Sequence, residues 1–126
     1  MNGNLFLRTS VLLLLVGMCF GIRMGMTQDF TYAPAHAHLN LVGGVLMFLA
    51  GLFYNSQQPQ VSARAVGVHY VVQLAGAILL PIGIVGSIGH ATWAGPVVGS
   101  GAMLTLLALL VFTWRVFRAP GAIALR

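Results

Sequence analysis

The chain has 126 residues, 59% of them hydrophobic and 6% charged, and its mean hydropathy of +0.95 excludes a soluble domain of this length. Its formal charge of +5 comes from arginines and one aspartate. Arginines beside hydrophobic spans indicate membrane topology rather than a nucleic-acid partner. Cys19 is the only cysteine, which excludes an intrachain disulfide and a cysteine-rich metal site. We therefore expect one integral membrane domain over residues 1–126, surrounded by the lipid bilayer.

Four apolar stretches are long enough to cross a bilayer, which takes about 20 residues of helix. They cover residues 5–22, 36–54, 64–89 and 97–117. Because each crossing must satisfy its backbone hydrogen bonds internally, the sequence predicts an all-α integral membrane protein with four transmembrane helices.

The arginines are distributed unevenly between the two ends of these spans. With both termini on one side of the membrane, only Arg23 lies on the opposite side. The arginines on the side of the termini are Arg8, Arg64, Arg115, Arg118 and Arg126. Since cytoplasmic loops carry an excess of arginine, this distribution predicts a multi-pass protein of the cytoplasmic membrane with both termini in the cytoplasm.

The glycines predict close contacts. Sixteen glycines in a membrane chain indicate that helices approach either another helix or a flat ligand. In the third span, Gly76, Gly83, Gly86 and His90 recur at spacings of seven, three and four residues, so they form one stripe of a helix. The spacing leaves open whether a helix or a ligand covers that stripe.

The segment "DFTYAPAHAHLNLVGG", residues 29–44, contains the only carboxylate, Asp29, followed by His36 and His38. Successive helical residues turn by about 100°, so the two histidines point about 200° apart and cannot chelate one ion together. If both are ligands, they serve two sites, one on each side of the helix. The face below His36 is small enough in places to let a planar group lie flat; its residues are Asn40, Gly43, Gly44, Met47 and Gly51.

Each histidine also has a structural interpretation. Pro34 could make the segment an irregular loop in which His36 and His38 only cap a helix in the headgroup region. His69, near the cytoplasmic end of the third span, is best explained by a structural hydrogen bond, such as one to a backbone carbonyl. His90 at the outer boundary is either a solvated interfacial residue or a contact to a metal or a haem propionate.

The segment resembles part of the main subunit of the haem-copper oxidases. In that family an Asp stands seven residues before a His-x-His pair, and a His in the next helix precedes a Gly by seven and a Pro by twelve residues. The matching residues here are Asp29, Tyr32, Ala35, His36, His38, His69, Tyr70, Gly76 and Pro81. "HAHLN" is also similar to the nitric-oxide-reductase branch, and the resemblance covers roughly residues 29–90.

The resemblance implies haem b as cofactor. By analogy, His38 is an axial ligand of the iron of a low-spin haem, and His36 faces the second haem of the active site. Asp29 lies near the propionates and any metal above them, such as copper. Arg23 and His90, on the same membrane side, complete the candidate cofactor-binding set. His69 matches a position that is not an axial ligand.

The chain also departs from this family. A full subunit has twelve helices in three arcs of four, whereas this chain supplies only one arc of that architecture. The histidines that bind the family's copper have no match in this chain. The family's cross-linked tyrosine has no match either. A homotrimer would restore three arcs, and its second helices would offer His36 to one interface and His38 to the next.

These patterns predict a membrane-bound b-type cytochrome that transfers electrons and meets a redox partner such as a quinol; no residue is assigned a catalytic role. The first alternative is a small haem enzyme or sensor that binds O2 or NO at an open iron position. The second is copper handling, since Met24 and Met26 lie near the histidines and thioethers suit Cu(I). The third is a cofactor-free accessory subunit.

Overall fold

The structure, a computed structural model, describes residues 3–57 and 61–119. It consists of four helices long and apolar enough to span a membrane. They are α1 (Asn4–Thr27), α2 (Ala33–Ser56), α3 (Ala63–Ile88) and α4 (Ala94–Arg118). The prediction of four apolar helices is confirmed, and no strand occurs among the described residues.

The start of α2 differs from the predicted span. The helix begins at Ala33, and Pro34 lies in its first turn. Amide groups in the first turn make no hydrogen bond within the helix, so a proline there removes none. His36 and His38 are therefore helical residues. The interpretation of this segment as an irregular loop is wrong, because a proline at the start of a helix is compatible with helical geometry.

The helices pack in chain order, with α1 on α2, α2 on α3, and the most extensive contact between α3 and α4. The inner helices α2 and α3 are 39% buried over their most apolar windows, against 17% for α1 and 11% for α4. Both outer helices thus present large apolar faces to the bilayer or to further copies of the chain.

The glycine stripe of α3 is a helix contact. Gly76, Gly83 and Gly86 all face α4, and a Cβ atom placed on Gly83 would lie 2.6 Å from the backbone nitrogen of Val98. Gly101 of α4 faces the backbone of α3 in return. The two backbones are close enough that a methyl group would not fit between them, so this stripe holds no flat ligand.

The middle of α2 is a π-helix over Leu39–Leu46. Such wide turns are rare and shift the faces of the residues that follow. Here Gln73 of α3 donates a hydrogen bond from Nε2 to the carbonyl oxygen of Val42 at 2.9 Å, in a buried position. A polar contact from α3 therefore supports the widened segment in the apolar interior.

The face below His36 is filled by α1. Gly43 lies against Leu13 and Gly44 against Leu14, and Met47 is fully buried. The small residues of α2 accept leucine side chains of the neighbouring helix. The predicted room for a planar group on this face is thus absent among the described residues.

The ends of the helices separate the charged and polar residues into two groups. His36, His38 and His90 lie at one end of the helices, which we call the histidine end, together with Arg23. The opposite end, the arginine end, carries Arg8, Arg64, Arg115 and Arg118. Arg126 lies outside the described residues. The division of the arginines is as predicted, and the cytoplasmic location of the arginine end stays a prediction.

Candidate functional site

The connection between α1 and α2 is ordered by Asp29. Gln28, with φ of 54°, ends α1, and the carboxylate of Asp29 then accepts hydrogen bonds from the hydroxyl of Thr31 at 2.6 Å and from its amide at 3.0 Å. These two bonds, with a smaller contribution from the charge of Arg23, lower the pKa of Asp29. The carboxylate is therefore ionised at neutral pH, and this turn loses its support only as the pH falls through the lowered pKa.

His38 is held by its own helix. Its Nδ1 lies 2.7 Å from the carbonyl oxygen of Pro34, one turn earlier, so Nδ1 carries the hydrogen and donates it. Its Nε2 has no hydrogen-bond partner among the described residues, and the side chain is half-buried. A histidine that donates through one nitrogen to a backbone carbonyl is oriented as metal-binding histidines are, with the other nitrogen free to coordinate.

His36 points in another direction, into the contact between α2 and α1. A Cβ atom placed on Gly21 would lie 2.9 Å from Cε1 of His36. The imidazole ring of His36 contacts the ring of Phe20 edge-on, with 6.0 Å between the two ring centroids. The side-chain nitrogen of Asn40 lies 3.3 Å from Nδ1 and 3.2 Å from Nε2. The two imidazoles leave α2 on different sides, and His36 is packed within its own chain.

The two histidines therefore fit a haem unequally. His38 has a fixed ring and a free Nε2, whereas both nitrogens of His36 are beside Asn40. An apolar groove of about 250 Å³ opens beside Ala35 and Pro81, which is small for a ligand site of about 300 Å³ or more. Neither His36 nor His38 lines this groove.

His90 has a backbone role. The backbone amide of His90 donates a hydrogen bond to the carbonyl oxygen of Ser87 at 3.1 Å. The amide of Ala91 donates one to the carbonyl oxygen of Gly86 at 2.9 Å. This pair of bonds is a Schellman motif with His90, at φ of 55°, in the left-handed position usually taken by glycine. Its side chain is exposed, so it terminates α3 and lies beyond the glycine stripe.

Replacing His90 by glycine is expected to leave the protein as stable or to stabilise it by up to about 1 kcal/mol, because glycine adopts positive φ without strain. Thermal unfolding in detergent measures this. Ser87→Gly, inside α3, is the control and should lose about 0.5–1 kcal/mol through helix propensity. A marked loss of stability in His90→Gly would instead show that the imidazole makes a contact.

The remaining predicted residues are not gathered around a metal. Arg23 is exposed and Met26 is 81% exposed, whereas Met24 is 5% exposed and packs inside. Within residues 3–57 and 61–119, no three histidine, cysteine, aspartate or glutamate side chains converge as metal ligands would. The two methionines of the copper hypothesis thus face different surroundings.

His69 makes the structural hydrogen bond that we expected, although its partner is a side chain. The hydroxyl of Tyr54 lies 2.8 Å from its Nδ1, and the residue is 2% exposed. Sequence reasoning missed Tyr54, and with it Trp114 and Arg115, which lie at the same end of the helices. Counting residues from the arginine end of each span would have placed these side chains within the last two turns at that end, although at different depths.

No protein-family model matches this chain, and neither does a curated protein or a solved structure. The likeness to the oxidase subunit therefore rests on the motif residues themselves.

Proposed function

We propose that this chain is a membrane-bound b-type haem protein that transfers electrons, with His38 as an axial ligand of the haem iron. The observation that supports this best is the state of His38, whose Nδ1 is bonded to the carbonyl of Pro34 while Nε2 has no partner among the described residues. The hydrogen bond at Nδ1 fixes the tautomer and increases the basicity of Nε2. The His-x-His motif after Asp29 supports the same assignment.

The second axial ligand is His36 of another copy in a homotrimer with one arc of four helices per chain. The exposed apolar faces of α1 and α4 support such an assembly. His36 would have to turn away from Asn40 to bind. With two histidine ligands the iron has no open position, which suits electron transfer.

Charged groups at the histidine end would contact the edge of the haem. Arg23 supplies a positive charge for the propionates, and His90 lies at the same end. Asp29, held by Thr31, borders that region as an ionised group. In this arrangement the protein is in the cytoplasmic membrane with both termini in the cytoplasm, and a redox partner such as a quinol exchanges electrons with the haem.

A second candidate follows from the contact between His36 and Asn40 in the same chain. If His36 stays there, an iron bound to His38 has only one protein ligand and keeps an open position. Such a haem suits an enzyme or sensor that binds O2 or NO.

The test is the visible spectrum of the protein purified after expression with ample haem. We expect the sharp bands of a haem with two histidine ligands in the reduced state, a fixed ratio of haem to chain, and no change on adding carbon monoxide. A spectrum shifted by carbon monoxide would favour the enzyme or sensor. A colourless protein would contradict both.

A further inference from the structure

A groove between α3 and α4 at the arginine end is lined in part by His69, whose Nε2 is buried without a hydrogen-bond partner. The groove has a volume of about 460 Å³ and is lined by His69, Trp114 and Arg115 together with apolar side chains of both helices. Two of those side chains, Val68 and Leu107, are 60% and 49% exposed on the surface that faces the bilayer. A molecule dissolved in the bilayer therefore reaches the groove without crossing water.

His69 is fixed within this groove. The hydroxyl of Tyr54 is hydrogen-bonded to Nδ1 of its ring. The ring centroid lies 5.3 Å from that of Phe6 and 6.3 Å from that of Phe112, on which the ring stacks. The opposite nitrogen, Nε2, is buried without a hydrogen-bond partner; the backbone of Ala108 lies beside it but completes no hydrogen bond of normal geometry. Such an atom costs free energy until a ligand satisfies it.

A second unsatisfied donor borders the same space. Nε of Arg115 is also buried without a partner, and the guanidinium carbon lies 4.8 Å from the centroid of the Trp114 ring. When the Tyr54 hydroxyl donates to Nδ1, Nε2 of His69 carries a hydrogen and donates as well. The residues that line the groove thus include two with buried, unsatisfied donor atoms, an aromatic ring and several apolar side chains.

The depth of His69 favours an uncharged acceptor. The residue lies about two turns inside α3, which begins at Ala63, or roughly 9 Å from the helix end. A phosphate or carboxylate at that depth would lose much of its hydration, whereas Arg118 lies at the very end of α4, where such a group would stay hydrated. A ring carbonyl avoids this cost and still accepts a hydrogen bond.

We propose that this groove binds a lipid-soluble quinone, with a ring carbonyl on Nε2 of His69, the ring beside Trp114 and the tail along the apolar walls towards the bilayer. The site lies at the opposite end of the helices from His38. It does not rest on the proposed haem function, although it would supply the quinol partner of such a protein.

The test titrates decylubiquinone into the purified protein and follows the fluorescence of Trp114 in a Trp93→Phe background, which removes the only other tryptophan. We expect saturable quenching with one quinone per chain. Decylbenzene, which has the same tail and no carbonyl, should not compete. Haem is measured separately by visible absorbance of the same sample, so loss of haem and loss of quinone binding are distinguishable.

His69→Leu should weaken quinone binding about tenfold or more, as expected for loss of a buried hydrogen bond. If that variant does not fold, a pair of neighbouring substitutions decides. Leu107→Phe fills the groove and should also weaken binding, whereas Leu106→Phe should not, since Leu106 is equally exposed, at 48%, but does not line the groove. Non-saturable quenching, displacement by decylbenzene or by oleate, or equal affinity in the Leu106 and Leu107 variants would overturn the proposal.

Discussion

Replacing His38 by alanine is expected to remove most of the haem absorbance from the purified protein. The substitution deletes the free Nε2 and the hydrogen bond to the carbonyl of Pro34 together. Removing only the hydrogen-bond partner of a metal-binding side chain lowers the affinity for the metal about 10–100-fold. Loss of the metal-binding side chain itself should lower the affinity for haem at least as much. The measurement is the ratio of haem to protein by visible absorbance, at equal amounts of folded protein.

Two further variants separate ligation from folding. His38→Gly leaves space for free imidazole, and adding imidazole to that variant should restore the absorbance. His36→Ala should keep part of the haem and open one iron position, so that carbon monoxide shifts its spectrum. The ligand assignment fails if His38→Ala keeps its full haem content.

Introducing a methyl group between α3 and α4 is expected to have the second large effect. A Cβ atom on Gly83 would lie 2.6 Å from the backbone nitrogen of Val98, and one on Gly101 would lie 2.7 Å from the Cα atom of Leu80. These contacts are with backbone, which cannot rotate away as a side chain can. Gly83→Ala and Gly101→Ala should each destabilise the protein by about 1–3 kcal/mol, the usual cost of overpacking.

Matched controls lie on the other face of α4. A Cβ atom on Gly95 or Gly99 meets no atom within 4 Å in the described chain. Alanine at these positions should be neutral or stabilise the helix by about 0.5–1 kcal/mol, since alanine is the better helix former. Unfolding of all four variants in the same detergent gives the comparison. Equal effects on both faces would show that α3 and α4 are not in close contact.

The four spans could be predicted from the residues alone because hydropathy and length are local properties of the chain. Each stretch is apolar enough to be stable as a helix in a bilayer whatever its neighbours are. The same holds for the divergence of His36 and His38, which follows from helical spacing, and for the separation of the arginines to one end. The His-x-His motif also predicts His38 as a haem ligand, and that assignment stays a prediction.

The partners of these residues could not be predicted, because a glycine stripe or a polar ring has the same spacing whatever covers it. Only the packing of α4 on α3 shows that Gly83 faces a helix, and only the meeting of α2 with α3 places the Tyr54 hydroxyl on His69. The π-helical turns of α2 shift the faces below His36, and α1 then fills them with leucines. Spacing along one helix gives the direction of a side chain, but the contact depends on which helix lies there, and that is a property of all four helices together.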